Sequence, residues 1–335
     1  MHRLFICTHN HNHHSGITDM VTMLRNGGLD SGFDTVVSDR IEPGHCNILI
    51  EHFLDVDWAK HLRALKRPGT RYVVICTEIL SGDSFNQDLV PTGGHYGNNP
   101  YWSARYRGFV EVAAVADELW VLSRAAVADY QRAFPDKTVR WLRHGWVSDM
   151  EIVRHRPEDR KDIDFFFSGS ITPDRTAILQ RLGSRYRVAH SPQGGPDYLR
   201  RDLLARAKVC LAMPLSARNT SPSVSRLHFH LQNANFVVQQ AYREPCELDP
   251  FVIHAPAEDF ADWAAAALDI DNRRMIAEVV RERFRDEMPF AKWFGPMVRM
   301  VLDGARPEAG LEPAVFPAST GPARRPSQGL EVQRS

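Results

Sequence analysis

At 335 residues the chain is long for a single core and suits two domains, since domains cluster at roughly 100–200 residues. Its 41 basic and 41 acidic residues cancel to a formal net charge of zero. That balance excludes the strong positive field of a nucleic-acid or anionic-membrane binder and leaves partners to local sites. Five cysteines, Cys7, Cys46, Cys76, Cys210 and Cys246, form no CxxC pair, and three lie in apolar runs, a pattern that suits buried thiols in a reducing cytoplasm. Met1-His2-Arg3 leads into a short apolar run without the core of a secretory signal, and no window approaches the ~20 apolar residues of a membrane span. The expectation is a cytoplasmic chain with no integral membrane segment and no nucleic-acid partner.

In chain order, strand-like runs fall at Arg3–Thr8, Thr35–Ser38, Asn47–Glu51, Tyr72–Thr77, Glu118–Leu122 and Val139–Arg143. Helical spacing appears at Ile17–Asn26, Trp58–Leu65 and Trp102–Ala116, and Gly27-Gly28 reads as the stop of the first helix. Alternation of this kind implies parallel strands joined by helical crossovers, a doubly wound α/β sheet over residues 1–153. The charged stretch Arg154–Lys161 lacks apolar periodicity and marks the domain boundary. The alternation then resumes over 162–288, with strands at Phe165–Phe167, Arg187–Ala189, Lys208–Ala212, Phe236–Gln239 and Phe251–His254. Between and after them, helices are expected at Arg175–Leu182, Tyr198–Arg206, Ser223–Asn233, Phe260–Ala267 and Arg273–Asp286. An amphipathic helix over Ala291–Leu302, within 289–303, should pack back on the first domain. Residues 304–335 turn to Pro, Ala, Gly, Arg and Ser, a composition that predicts a disordered tail. Two Rossmann-like domains thus face one another across a cleft.

The chemistry concentrates between Asp162 and Glu247. There the apolar run Phe165-Phe166-Phe167 ends in Ser168-Gly169-Ser170 and feeds a helix carrying Arg175. Further on, Pro222 precedes Ser223-Val224-Ser225-Arg226 at another helix start. A strand ending in Ser-Gly before a helix leaves backbone N–H groups and a positive helix terminus at the carboxyl edge of the sheet, a place for phosphate. A nucleotide-type ligand follows. Ser223 and Ser225 could equally be helix caps, with Arg226 in a surface ion pair.

Asp164–Ser170, Arg175 with its following leucines, Leu204–Val209, Ser225-Arg226, Gln239-Gln240 before Glu244 and the Phe251–Pro256 strand occur in an order that resembles the GT-B class of glycosyltransferases. The likeness is greatest to bacterial CgeB-like and group-1-like members, and Arg143-His144-Gly145 resembles that family's strand-end His-Gly before the linker. The resemblance implies a glycosyltransferase whose second domain binds a nucleotide sugar and whose first binds a hydroxyl acceptor. That acceptor would be a glycan precursor, a protein or a small metabolite. It also implies no cofactor or metal, the nucleotide sugar being a co-substrate. The donor set would be Ser168, Gly169, Ser170, Arg175, Met213, Ser223, Ser225, Arg226 and Glu244. The spaced acidic pair of group-1-like members is replaced by Ser223, Arg226, His228 and His230, with Glu244 and Glu247 nearby. A catalytically silent nucleotide-sugar-binding or regulatory protein, or a nucleotide-sugar epimerase or hydrolase, are the alternatives on the same fold.

The loop His9-Asn10-His11-Asn12-His13-His14-Ser15-Gly16 follows the first strand and so faces the cleft. Histidine acts as a base near neutral pH, and in inverting GT-B enzymes of the plant natural-product type a base histidine occupies this loop. His13 and His14 are the nearest positional analogues, with a metal site or a solvated loop as competing readings. Glu78, at the end of the Tyr72–Thr77 strand, is the third catalytic candidate, either orienting a histidine or acting as base, and Glu51 and Asp83 are weaker ones. The glycines and aromatics of Gly93–Trp102 suit a mobile acceptor loop.

Overall fold

The structure is a computed structural model that describes residues 3–7, 16–55, 57–87, 89, 97–192, 194–216, 218 and 220–304. Two parallel sheets organise them. The first contains β1 (Arg3–Cys7), β2 (Asp34–Ser38), β3 (Cys46–Ile50), β4 (Arg71–Cys76), β5 (Glu118–Val121) and β6 (Thr138–Trp141), in the order β2-β1-β3-β4-β5-β6. The second contains β7 (Ile163–Ser168), β8 (Val188–Ser191), β9 (Ala207–Ala212), β10 (Val237–Gln240) and β11 (Ile253–Ala255), in the order β11-β10-β9-β7-β8. Their connections hold α1 (Thr18–Asp30), α2 (Asp57–Leu65), α3 (Asn99–Val115), α4 (Ala126–Ala133), α5 (Pro173–Gly183), α6 (Asp197–Arg206) and α7 (Val224–Gln232), and α8 (Phe260–Ala266) follows β11. After β11 and α8, α9 (Arg273–Glu287) and α10 (Ala291–Asp303) complete the described chain. No helix among the described residues is long and apolar enough to cross a membrane.

The strand orders locate the site. β1 pairs with β2 on one side and β3 on the other, and β7 pairs with β8 and β9 in the same way. At such a reversal the two flanking crossovers leave in opposite directions, and a crevice opens beyond the carboxyl ends of the strands. Each half of the molecule has one.

Because helices cover both faces, strands such as β3 are buried along their whole length, which is why they read as continuous apolar runs. Three apolar layers result. Phe5, Leu49, Val74 and Leu119 pack outward against α2, α3 and α4, while Phe165, Phe167, Val209 and Val238 pack outward under α5 and α8. Between the sheets a single cluster joins Leu4, Ile48, Val73 and Trp120 of the first to Ile163, Phe166 and Cys210 of the second. The α10 helix belongs to this middle layer, with Phe294 edge-on to Trp120 at 5.9 Å and the Val301 carbonyl accepting from Arg71 Nε at 3.1 Å.

Gly27-Gly28 does not stop α1, which continues to Asp30. The two glycines provide clearance instead, because a Cβ at Gly27 would lie 2.1 Å from the Phe290 ring and one at Gly28 2.3 Å from Thr35 Oγ1. The α4 helix is absent from the sequence expectations because Tyr130 is its one fully buried side chain, which leaves no buried stripe to mark a helical period. Gly304, at φ +66°, caps α10 in the left-handed conformation that glycine adopts without strain. Residues 305–335, where a disordered tail was expected, lie outside the described residues.

Candidate active site

Between the carboxyl edges of the two sheets lies a cleft of about 1150 Å³. From the second sheet it is lined by Ser168, Gly169, Ser170, Arg175, Met213, Ser223, Ser225, Arg226 and Glu244, and from the first by Glu51 and Glu78. His13 and His14, with the rest of the loop from His9 to Ser15, lie outside the described residues, as does the segment from Gly93 to Tyr96. Asp83 is exposed and does not line the cleft.

The wall formed by the second sheet is built on the turn after β7. Gly169 takes φ +128°, its N–H donates to the Ser191 carbonyl at 3.0 Å, and its carbonyl lies 2.7 Å from His190 Nε2. The His190 ring stacks on Phe167 with centroids 5.7 Å apart. A Cβ at Gly169 would meet Arg226 Nη2 at 2.5 Å, so only glycine lets this guanidinium rest against the turn. Arg226 also lies over the Phe167 ring, with Cζ 5.5 Å from its centroid. A guanidinium, the N-terminus of α7 and an open turn therefore converge, the combination that holds a phosphate.

Arg175 has a different place from the one expected of a direct ligand. It is 3% exposed, and its Nε, Nη1 and Nη2 donate to the carbonyls of Pro214, Ser170 and Met213 at 2.7, 2.7 and 2.8 Å. It clamps the turn after β7 to the loop after β9. Ser223 makes no side-chain capping bond on α7, whereas Ser225 Oγ lies 3.1 Å from His144 Nε2. Glu244 accepts from Ser221 Oγ at 2.9 Å and steadies the loop before α7.

The opposite wall is polar in another way. Glu51 is 1% exposed and receives Arg105 Nε at 2.9 Å, Arg105 Nη2 at 2.7 Å and Thr77 Oγ1 at 2.9 Å. Burial pushes the Glu51 carboxyl up from its ordinary range, while Arg105 pulls it back. Arg105 Nη2 also reaches Glu78 Oε1 at 2.7 Å, and Asn86 Nδ2 donates to Glu78 Oε2 at 2.6 Å. Tyr130 of α4 donates to the Glu78 carbonyl at 2.8 Å, and Tyr101 OH lies 3.1 Å from His52 Nε2. The wall is thus a carboxylate pair bridged by one arginine, with the Glu51 side chain sealed and the Glu78 side chain partly open. Sequence reasoning missed Arg105, although it falls with Trp102, Phe109 and Val112 on the buried stripe of α3. A charged residue at a core position of a helix was the available signal.

The two walls are tied across the cleft. Arg200 of α6 donates to both oxygens of Asp19 on α1 at 2.7 and 2.8 Å, and its guanidinium lies 4.1 Å from the Phe229 ring centroid. Ser216 Oγ donates to the Leu89 carbonyl. Among the described residues no group of three or more His, Cys, Asp or Glu side chains is arranged to hold a metal ion.

No family model matches the chain, and no curated protein matches it. Solved structures do. AviGT4, a glycosyltransferase involved in avilamycin A biosynthesis, superposes with a TM-score of 0.52 at 14% identity, over 91% of this chain and 99% of that one. T4 phage β-glucosyltransferase gives 0.49 at 8% identity, over 90% and 100%, and an α,α-trehalose-phosphate synthase from Burkholderia vietnamiensis 0.47 at 10%, over 79% and 73%. At such identities the likeness shows the fold alone. That fold is GT-B, two Rossmann-like domains facing across a cleft.

Proposed function

We propose that the protein is a glycosyltransferase that moves a sugar from a nucleotide-sugar donor to a hydroxyl acceptor. The observation that carries this reading is the meeting of Gly169, Arg226 and the α7 N-terminus at the switch point of one sheet, facing Glu51 and Glu78 beyond the edge of the other. The diphosphate lies in the cradle of Ser168, Gly169, Ser170, Ser223, Ser225 and Arg226, with Met213 and Glu244 on its flanks. Arg175 acts through the carbonyls it clamps. As the bond from the anomeric carbon to the diphosphate oxygen breaks, the negative charge left on that oxygen is met by the turn's N–H groups and the Arg226 guanidinium. The acceptor oxygen forms the new bond and gives its proton to a base.

His13 or His14 is that base in this reading, and Glu78, held by Arg105 and Asn86, orients the acceptor hydroxyl. No metal is needed, because arginine and backbone donors neutralise the leaving group. A cytoplasmic setting belongs to the same reading. The test is thermal-shift screening against UDP, GDP, CMP, dTDP and their sugars. A nucleotide at 100 times its Kd stabilises by about 2.7 kcal/mol. The expected result is stabilisation by one nucleotide family, lost in Arg226→Ala and kept in His14→Ala, with transfer abolished in both. A chain that responds to none of them overturns the reading.

A further inference from the structure

His144 and Glu247 have no part in the reading above, yet both side chains are buried, at 1% and 2% exposure. His144 lies just past β6, where the chain leaves the first sheet, and its Nε2 is 3.1 Å from Ser225 Oγ in the first turn of α7. On the other side of the ring, Nδ1 is 3.5 Å from Glu247 Oε1 and makes no hydrogen bond among the described residues. Glu247 is fixed in place, because the same Oε1 accepts the His144 backbone N–H at 2.8 Å. The neighbouring His228, with its ring centroid 5.7 Å away, donates its Nε2–H to the Gly145 carbonyl and is held neutral by burial.

The direction of the Ser225 hydroxyl depends on this pair. A serine oxygen has one hydrogen and two lone pairs. With Nε2 bare, the hydrogen turns inward and only lone pairs face the cleft, which repels a phosphate. With Nε2 protonated, the ring donates to Oγ and the O–H is left to point outward beside Arg226. We propose that Glu247 and His144 are positioning residues for a nucleoside diphosphate. Glu247 Oε1, fixed by the His144 backbone N–H, holds the ring with Nδ1 toward it and Nε2–H toward Oγ, which makes Ser225 a donor to the terminal phosphate. This rests on the transferase reading.

The test titrates the full chain calorimetrically with UDP, GDP, ADP and dTDP and with the four corresponding nucleosides. Any diphosphate that binds the unsubstituted chain is then titrated into Ser225→Ala, His144→Phe, His144→Gln and the double variant Ser225→Ala/His144→Phe. Ser225→Ala and His144→Phe should each weaken diphosphate binding about tenfold, the size of one hydrogen bond to a charged group. Nucleoside affinity should not change, and the double variant should be no weaker than either single. His144→Gln, whose amide N–H can replace Nε2–H, should restore binding. Equal weakening of nucleoside and diphosphate in His144→Phe, or losses that multiply in the double variant, would overturn the relay. Ser225→Ala truncates a half-buried side chain and leaves the His144 ring in the chain, so unchanged diphosphate affinity in that variant alone removes the proposal. Failure of every diphosphate to bind the unsubstituted chain sinks the transferase reading and the relay together.

Discussion

At Gly169 two separate demands meet in one residue. The backbone at φ +128° lies where side chains are strained, and the space a Cβ would occupy holds Arg226 Nη2. Gly169→Ala therefore displaces the guanidinium as well as straining the turn, at a cost of about 1–3 kcal/mol. We expect a lower melting temperature together with at least a tenfold loss of nucleotide affinity in titration; a variant that melts lower but binds normally would show that Arg226 does not depend on the turn. The Ser-Gly pair and Arg226 were each legible in the sequence, because a strand followed by Ser-Gly and a helix start after Pro222 are local patterns. Their contact was not, because it joins elements distant in the chain. The same holds for Arg175, whose place on a helix was readable but whose three carbonyl partners were not.

The α7 helix turns the cleft's chemistry into a pH dependence. His228 and His230 are fully buried in it, and burial lowers both imidazoles to about 3, helped at His228 by His144 and at His230 by Arg226 and Arg200, and opposed at His228 by its bond to Gly145. In the unfolded chain both titrate near 6.5. Above that pH neither state is protonated and no stability is lost. As pH falls from 6.5 toward 3 the unfolded chain takes up protons that the folded one refuses, and stability drains away, by about 2 kcal/mol for each group at pH 5. Urea unfolding at pH 7.5 and pH 5 should show this loss. Neither ring nitrogen of His230 has a hydrogen bond among the described residues, so His230→Leu should be as stable as the parent at pH 7.5 and lose less on acidification. An unchanged acid loss in His230→Leu would locate the proton uptake elsewhere. The helical period of α7 was plain in the sequence; which face would be sealed from water was not, since nearly the whole of Val224–Gln232 is buried.

Across the whole molecule the bidentate Arg200–Asp19 pair is a tie that spans the cleft directly, its side chains each 21% exposed. Asp19→Asn should loosen it by about 1 kcal/mol, allowing for solvent screening and for the second contact of Arg200 with Asp197. The expected readout is a larger radius of gyration in small-angle X-ray scattering without nucleotide, reversed by a binding nucleotide, and an unchanged radius would assign the tie no part in closure. The paired α/β architecture was legible because strand and helix periods alternate along the chain. Of the middle apolar layer only the α10 part was legible, because periodicity tells which side chains are buried and not, for the strands, what they are buried against. That layer also bears on synthesis at the ribosome. Phe290 fills the space beside Gly27, Trp293 the space beside Gly145, and Phe294 lies against Trp120, so the first sheet's inner face is finished by residues made after all five strands of the second. A nascent chain halted after β6 would leave that face bare, and binding by a chaperone that covers apolar surface should persist until α10 has emerged.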